Sequence, residues 1–389
     1  DEPTSQGPTT TLQAPLKTLY AQHGQSVWLD YIQRCMIRSG ELHRLIEEEG
    51  IRGVTSNPAI FQKAIAGTTD YDKTLTALAA DPDLEAIDLY EQLAIEDIQA
   101  AADSLKPLYD KSNRQDGYVS LEVSPYLAND TEQTLEEARR LWAEVHRPNL
   151  MVKVPATAAG IPVIQQLISE GINVNVTLLF SQEAYRQVAD AYLTGLETFA
   201  KAGGDVSQVA SVASFFISRI DTAVDGLIAE KLVVVAGDIR ATALLESLQG
   251  KAAIANAKLA YKDYVHLCFS DRWTALAQRG AQPQRLLWAS TGTKNPHYSD
   301  VLYIEELIGP DTVNTTPPGT LSAFVEHGKA RASLAEDVEA ANVVIASLGK
   351  VDIDFSAITD RLLLQGVQVF QQAFDQLLQA IEEKVTAQK

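Results

Sequence analysis

The chain has 389 residues, 46% of them hydrophobic and 21% charged, which is a globular mixture with ample length for a large core. Its formal charge of −19 argues against a nucleic-acid-binding face and against attraction to an anionic membrane surface. An anionic substrate stays possible if a local cluster of cations and backbone N–H groups receives it.

Asp1 to Pro15 is polar, acidic and rich in Thr, and it is expected to be a flexible tail preceding a single folded unit over residues 16–389. It has neither the apolar core of a signal peptide nor the Arg-rich character of a transit peptide. Eight short apolar or alternating runs then follow: Ser26–Tyr31, Gly53–Asn57, Tyr118–Val123, Leu150–Pro155, Ile172–Leu178, Gln208–Ser214, Arg285–Ser290 and Thr312–Thr316. Each precedes a stretch of helical period, so the pattern is a repeated βα unit. Asp130 and Thr131 stand before the acidic run Glu132–Glu137, a helix N-terminus by composition. Gly50, Gly171 and Gly203–Gly204 mark helix ends.

Alternating strands and helices predict a parallel sheet, and eight units predict closure into a (β/α)8 TIM barrel, the α/β class. An open doubly wound sheet is the competitor, but no GxGxxG follows the first strand. A helical elaboration at about 225–284 interrupts the repeat. The last segment carries an apolar stripe, Leu363, Val367, Phe370, Phe374, Leu377 and Ile381. It predicts a long helix that packs on the barrel or on a partner.

Polar residues occur where a barrel interior should be apolar. Strand side chains alternate between faces. In Met151-Val152-Lys153-Val154 the valines should face the helices and Lys153 the interior. Glu122 should point inward from the third strand, and Asn173, Asn175 and Thr177 alternate with apolar residues on the fifth. Asp30 and Asn57 end the first two strands. A lysine amine is a nucleophile only when neutral, a form that burial and nearby cations favour. Lys153 suits that role. It suits equally a structural ion pair with Glu122 or Asp30, and a third reading makes it a companion of a phosphate or metal site. Asp30 and Glu122 offer proton transfer; singly, a pair with Arg34 or with Lys153 explains them as well.

Two segments could hold phosphate. Ser290-Thr291-Gly292-Thr293-Lys294 follows the seventh strand, and Ser214 and Arg219 lie at the end of the sixth. A surface pair of Arg219 with Asp221 or Asp225 is the plainer alternative. The six histidines show no metal-ligand spacing, and Cys35 and Cys268 suggest neither a disulfide framework nor a metal site. No metal and no organic cofactor is expected. The scarcity of cysteine favours a reducing compartment. No apolar run approaches the roughly 18 residues that span a bilayer.

The stretches GVTSNPAIF (53–61), SLEVSP (120–125), LMVKVPAT (150–157), INVNVTLLFS (172–181), SVASFFISRID (211–221) and LLWASTGTKNP (286–296) together resemble the transaldolase family. The pattern is most similar to the longer bacterial, cyanobacterial and plant type. The resemblance implies transfer of a dihydroxyacetone unit between sugar phosphates in the non-oxidative pentose phosphate pathway. It implies Lys153 as the Schiff-base lysine, Asp30 as acid–base residue, and Glu122 and Thr177 as holders of a catalytic water. It implies Asn57, Asn175 and Ser214 at the dihydroxyacetone portion and Arg219, Ser290 and Lys294 at the phosphate. Many members carry Arg where Lys294 stands, and Arg offers a fork where Lys offers a point charge. Phe215 replaces a Pro of the enterobacterial type. A cytoplasmic (or plastid stromal) monomer or homodimer is expected. An aldolase that releases free dihydroxyacetone and a non-enzymatic sugar-phosphate-binding barrel are the competing functions.

Overall fold

The computed structural model describes residues 14–388. Residues 1–13 of the expected tail lie outside them; Pro15 opens a helix, Pro15–His23, at a position where its missing N–H is not needed. Eight parallel strands form one closed barrel in chain order. They are β1 Gln25–Asp30, β2 Gly53–Thr55, β3 Tyr118–Glu122 and β4 Leu150–Pro155, then β5 Val174–Leu179, β6 Ser211–Phe216, β7 Arg285–Ala289 and β8 Thr312–Thr316. Closure is made where Gln25–Leu29 of β1 stands beside Thr312–Thr316 of β8. The fold is the expected (β/α)8 barrel.

Parallel neighbours need long crossovers, and helices supply them. The helix Gln182–Lys201 shows how they seat. Ser181 Oγ accepts the Ala184 N–H at 3.1 Å and starts it; Tyr185, Val188, Tyr192, Leu193 and Leu196 then bury one face. Between β6 and β7 the crossover comprises four helices, Ser218–Val234, Ile239–Leu248, Ala252–Cys268 and Asp271–Gln278.

β6 starts three residues later than its hydropathy predicts. The Asp205 carboxylate accepts the Ser207 N–H at 3.0 Å and folds Val206–Gln208 into a 3-10 turn. β5 starts two residues late because Asn173 Nδ2 donates sideways, to Pro148 O at 2.9 Å and Leu150 O at 3.1 Å. Further along β5 the register breaks between Val176 and Leu179, and Leu178 takes a left-handed φ of 62°.

At the N-terminal end of the barrel a single carboxylate ties three segments together. Asp116 is fully buried and accepts from Ser26 Oγ at 2.8 Å and Trp28 Nε1 at 3.0 Å, both on β1. It also pairs with Arg52, next to β2, at 2.6 Å and with Arg285 of β7 at 3.0 Å. At the opposite end lies the long C-terminal helix Phe355–Ala387. It packs on the helices Pro58–Ala66, Ala86–Lys111 and Ser218–Val234 and on β5. The predicted stripe is what it buries: Val367, Phe370, Phe374, Leu377 and Ile381 are inside, and Leu363 is half-buried. Among the described residues no helix is long and apolar enough to cross a membrane.

Candidate active site

Lys153 sits on β4 between Glu122 of β3 and Asn175 of β5 in the strand register. It is 5% exposed, and its amine donates to the Ser56 carbonyl oxygen at 3.2 Å. Neither Glu122 nor Asp30 lies within ion-pair distance of it; among the described residues Lys153 has no carboxylate partner. The amine is therefore enclosed but not locked in a salt bridge, which is what a nucleophile requires.

The two carboxylates are held by different means. Asp30 ends β1 and accepts from Thr55 Oγ1 at 2.8 Å. Burial raises its pKa above the ordinary 3.8, while Lys153, the Thr55 hydroxyl, Arg219 and Lys294 pull it back. Arg34, a conceivable partner, is committed to Asp97 at 2.8 Å and Glu96 at 3.1 Å. Glu122 ends β3 with Oε2 buried and, among the described residues, without a hydrogen-bond partner. Burial pushes its pKa up to about 7, against the opposing pull of Lys153 and Arg219; Asp30 adds to the rise. A carboxyl poised near neutrality can both give and take a proton. Thr177 Oγ1 on β5 is likewise buried without a partner among the described residues, so two such polar atoms lie close to Lys153 in strand order.

The neutral side chains form a connected set. Ser214 Oγ donates to Asn175 Oδ1 at 2.7 Å, and Asn175 Nδ2 donates to Ser120 Oγ at 3.0 Å. Asn57 commits its carbonyl oxygen to capping the helix Pro58–Ala66, accepting the Ile60 N–H at 2.9 Å, so its amide NH2 is the part left for a ligand.

Arg219 lies in the first turn of the helix Ser218–Val234, with its guanidinium 5.0 Å from the Phe216 ring and 5.7 Å from that of Phe370. It forms no pair with Asp221 or Asp225. Asp221 accepts from Tyr303 Oη at 2.5 Å and from the Ala253 N–H at 2.9 Å, and Asp225 from Tyr298 Oη at 2.7 Å. Burial lowers the Arg219 pKa, and Glu122 and Asp30 oppose that shift. Ser290 follows β7 with a left-handed φ of 55°, a bend that brings its hydroxyl within 2.8 Å of Ser218 Oγ. Arg219, Ser290, Lys294 and Ser218 line one cavity of about 620 Å³ at the C-terminal ends of β6 and β7. That volume suits a small-molecule site.

Residues 27–381 match the family model described as transaldolase/fructose-6-phosphate aldolase. The chain belongs to that family. Among its relatives, "Transaldolase 2" of Nostoc punctiforme is 50% identical over 366 residues, 94% of this chain and 96% of the relative. "Transaldolase" of Trichodesmium erythraeum is 49% identical over 364 residues, 93% and 95% of the two chains. That of Thiobacillus denitrificans is 47% identical over 359 residues, 92% and 97%. These relatives span nearly the whole barrel and are of the longer type that the motifs resemble.

Three residues that contact the candidate site residues were not singled out from the sequence. Ser56 acts through its backbone carbonyl, which no residue type announces. Thr55 could be found, because it is the last residue of β2 and stands beside Asp30 in register. Ser218 lies inside the SVASFFISRID stretch, but its link to Ser290 depends on the bend after β7. Among the described residues no group of His, Cys, Asp and Glu is arranged to hold a metal ion.

Proposed function

We propose that this chain is a transaldolase that carries a dihydroxyacetone unit from a ketose phosphate (sedoheptulose 7-phosphate or fructose 6-phosphate) to an aldose phosphate through a Schiff base on Lys153. The observation that carries the proposal is the buried Lys153 amine, without a carboxylate pair among the described residues and flanked in the strand register by Glu122 and Asn175. The amine attacks the ketose carbonyl, and loss of water leaves a protonated imine. Glu122 and Thr177, each with a buried unpaired oxygen, hold the water that relays these protons. Asp30 then takes the proton of the hydroxyl next to the bond to be broken. The carbon–carbon bond cleaves, its electrons flow into the imine, and an aldose phosphate leaves an enamine behind. The enamine attacks the acceptor aldose phosphate by the reverse sequence.

Asn175, Ser214 and the Asn57 amide bind the hydroxyls of the three-carbon unit. Arg219, Ser290 and Lys294 receive the phosphate. The reaction needs no cofactor, and it belongs to the non-oxidative pentose phosphate pathway of the cytoplasm.

Borohydride trapping with fructose 6-phosphate, followed by peptide mapping, tests the mechanism. A dihydroxyacetone adduct on Lys153 is expected, and Lys153→Ala should lose turnover by several orders of magnitude. Turnover that persists in folded Lys153→Ala would overturn the assignment. The family also includes aldolases, so acceptor dependence is the second measurement. Product formation that requires an aldose phosphate supports transfer, whereas release of free dihydroxyacetone at the same rate without it points to an aldolase.

A further inference from the structure

The cavity that holds Arg219, Ser290 and Lys294 has a second wall. It is formed by the C-terminal helix, which presents Ile358, Arg361, Leu362 and Gln365 to the same space. These positions recur at intervals of three and four, so they share one face of the helix. The apolar members explain the packing. Arg361 is exposed, and among the described residues it has neither an ion-pair nor a hydrogen-bond partner, so its guanidinium is free to meet a ligand in the cavity it lines. Glu230 lines the same cavity yet is not within ion-pair distance of it.

A further observation fixes this helix over the site. Gly366 lies mid-helix, where glycine is unfavourable by about 1 kcal/mol relative to alanine. A Cβ there would stand 2.8 Å from Leu178 Cδ2 and 3.4 Å from Arg219 Nη1. The helix therefore rests directly on Arg219 at Gly366, about 1.4 turns beyond Arg361 in its own sequence. The barrel side of the cavity offers one guanidinium and one lysine ammonium. A phosphate dianion with three acceptor oxygens can take a second guanidinium fork, which Lys294 does not supply.

We infer that Arg361 is a ligand of the substrate phosphate, contributed by the C-terminal helix from the side opposite Arg219, Ser290 and Lys294; this rests on the proposed phosphate site. The helix is thereby part of the binding site rather than only its cover, and it selects phosphorylated sugars.

The test compares the parent with Arg361→Ala and Arg361→Lys. The KM for fructose 6-phosphate and the inhibition constant for inorganic phosphate should each rise about tenfold in Arg361→Ala, the loss of one charge-assisted contact. kcat should stay within about twofold, and inhibition by unphosphorylated dihydroxyacetone should not change. Arg361→Lys should recover part of the affinity. If Arg361→Ala leaves both phosphate-dependent constants within about twofold while Ser290→Ala and Lys294→Ala raise them, the inference about the helix is wrong and the phosphate site stands. If none of the three variants moves them, the phosphate site itself is misplaced.

Discussion

At Glu122 the chemistry and the stability of the protein pull in opposite directions. Its pKa rises from 4.5 to about 7 because burial penalises the charged form more than Lys153 and Arg219 reward it. A group that holds its proton more tightly when folded adds stability below its unfolded pKa, and that stability is lost as pH rises to the folded pKa. The contribution of Glu122 is therefore greatest below pH 4.5, declines between 4.5 and about 7, and is gone above that range. Glu122→Gln keeps the uncharged shape at every pH. It should melt at a higher temperature than the parent at about pH 8 and at nearly the same temperature at about pH 4. Thermal melts at the two pH values check this, and a parent that gains relative stability at the higher pH would reverse the sign. The same variant should lose the inflection near neutrality in the pH profile of kcat. How Glu122 and Lys153 share the barrel interior was legible, because strand alternation alone places both on the inward face. The Lys153–Ser56 contact was not, because a backbone carbonyl looks the same in every residue.

The C-terminal helix is the element that couples packing to the site. Its apolar stripe was readable from spacing, but its landing place was not. Phe370 meets Arg219, 151 residues earlier, and Phe374 meets Tyr126 and Tyr90, 248 and 284 residues earlier. Arg361, on the exposed edge of the helix, reads in sequence as an ordinary solvated residue. The strands show where such legibility ends. β4 and β8 match their predicted limits because hydropathy and hydrogen bonding change at the same residues. The start of β6 was masked because Val206 and Val209 continue its apolar character while Asp205 turns the backbone. Gly366 is the critical position of the helix. Alanine there gains roughly 1 kcal/mol of helix propensity. It also drives a methyl against Leu178, whose left-handed backbone leaves it little freedom to yield. Gly366→Ala is expected to show no net gain in stability and a several-fold loss of kcat/KM for fructose 6-phosphate, measured by melting and steady-state kinetics together. A variant that is both more stable and fully active would show that the contact with Arg219 and Leu178 is slack.

Across the whole molecule, the barrel separates what holds it together from what it does. The groups proposed to carry the reaction gather toward the C-terminal ends of the strands, while Asp116 closes the other end by joining β1, β7 and the segment before β2. Burial alone would raise the Asp116 pKa, but Arg285 and Arg52 prevail and hold it below the ordinary 3.8. Its stabilisation is thus present above pH 3.8 and is lost as pH falls through the lowered folded value. Removing the charge leaves two guanidinium groups facing an uncharged amide, and breaking a buried pair from one side costs about 3–5 kcal/mol. Asp116→Asn keeps the size of the side chain, so the loss is electrostatic rather than a cavity. We expect a large drop in denaturant midpoint at neutral pH that narrows progressively as the pH falls below 3.8, toward the lowered folded value at which the parent loses the same charge. Because Asp116 sits at the end away from Lys153, kcat per folded molecule should be unchanged at temperatures where the variant is intact. A variant that folds as stably as the parent would show that the cluster specifies register without adding stability. A variant that is stable but slow would mean that the two ends of the barrel are mechanically coupled.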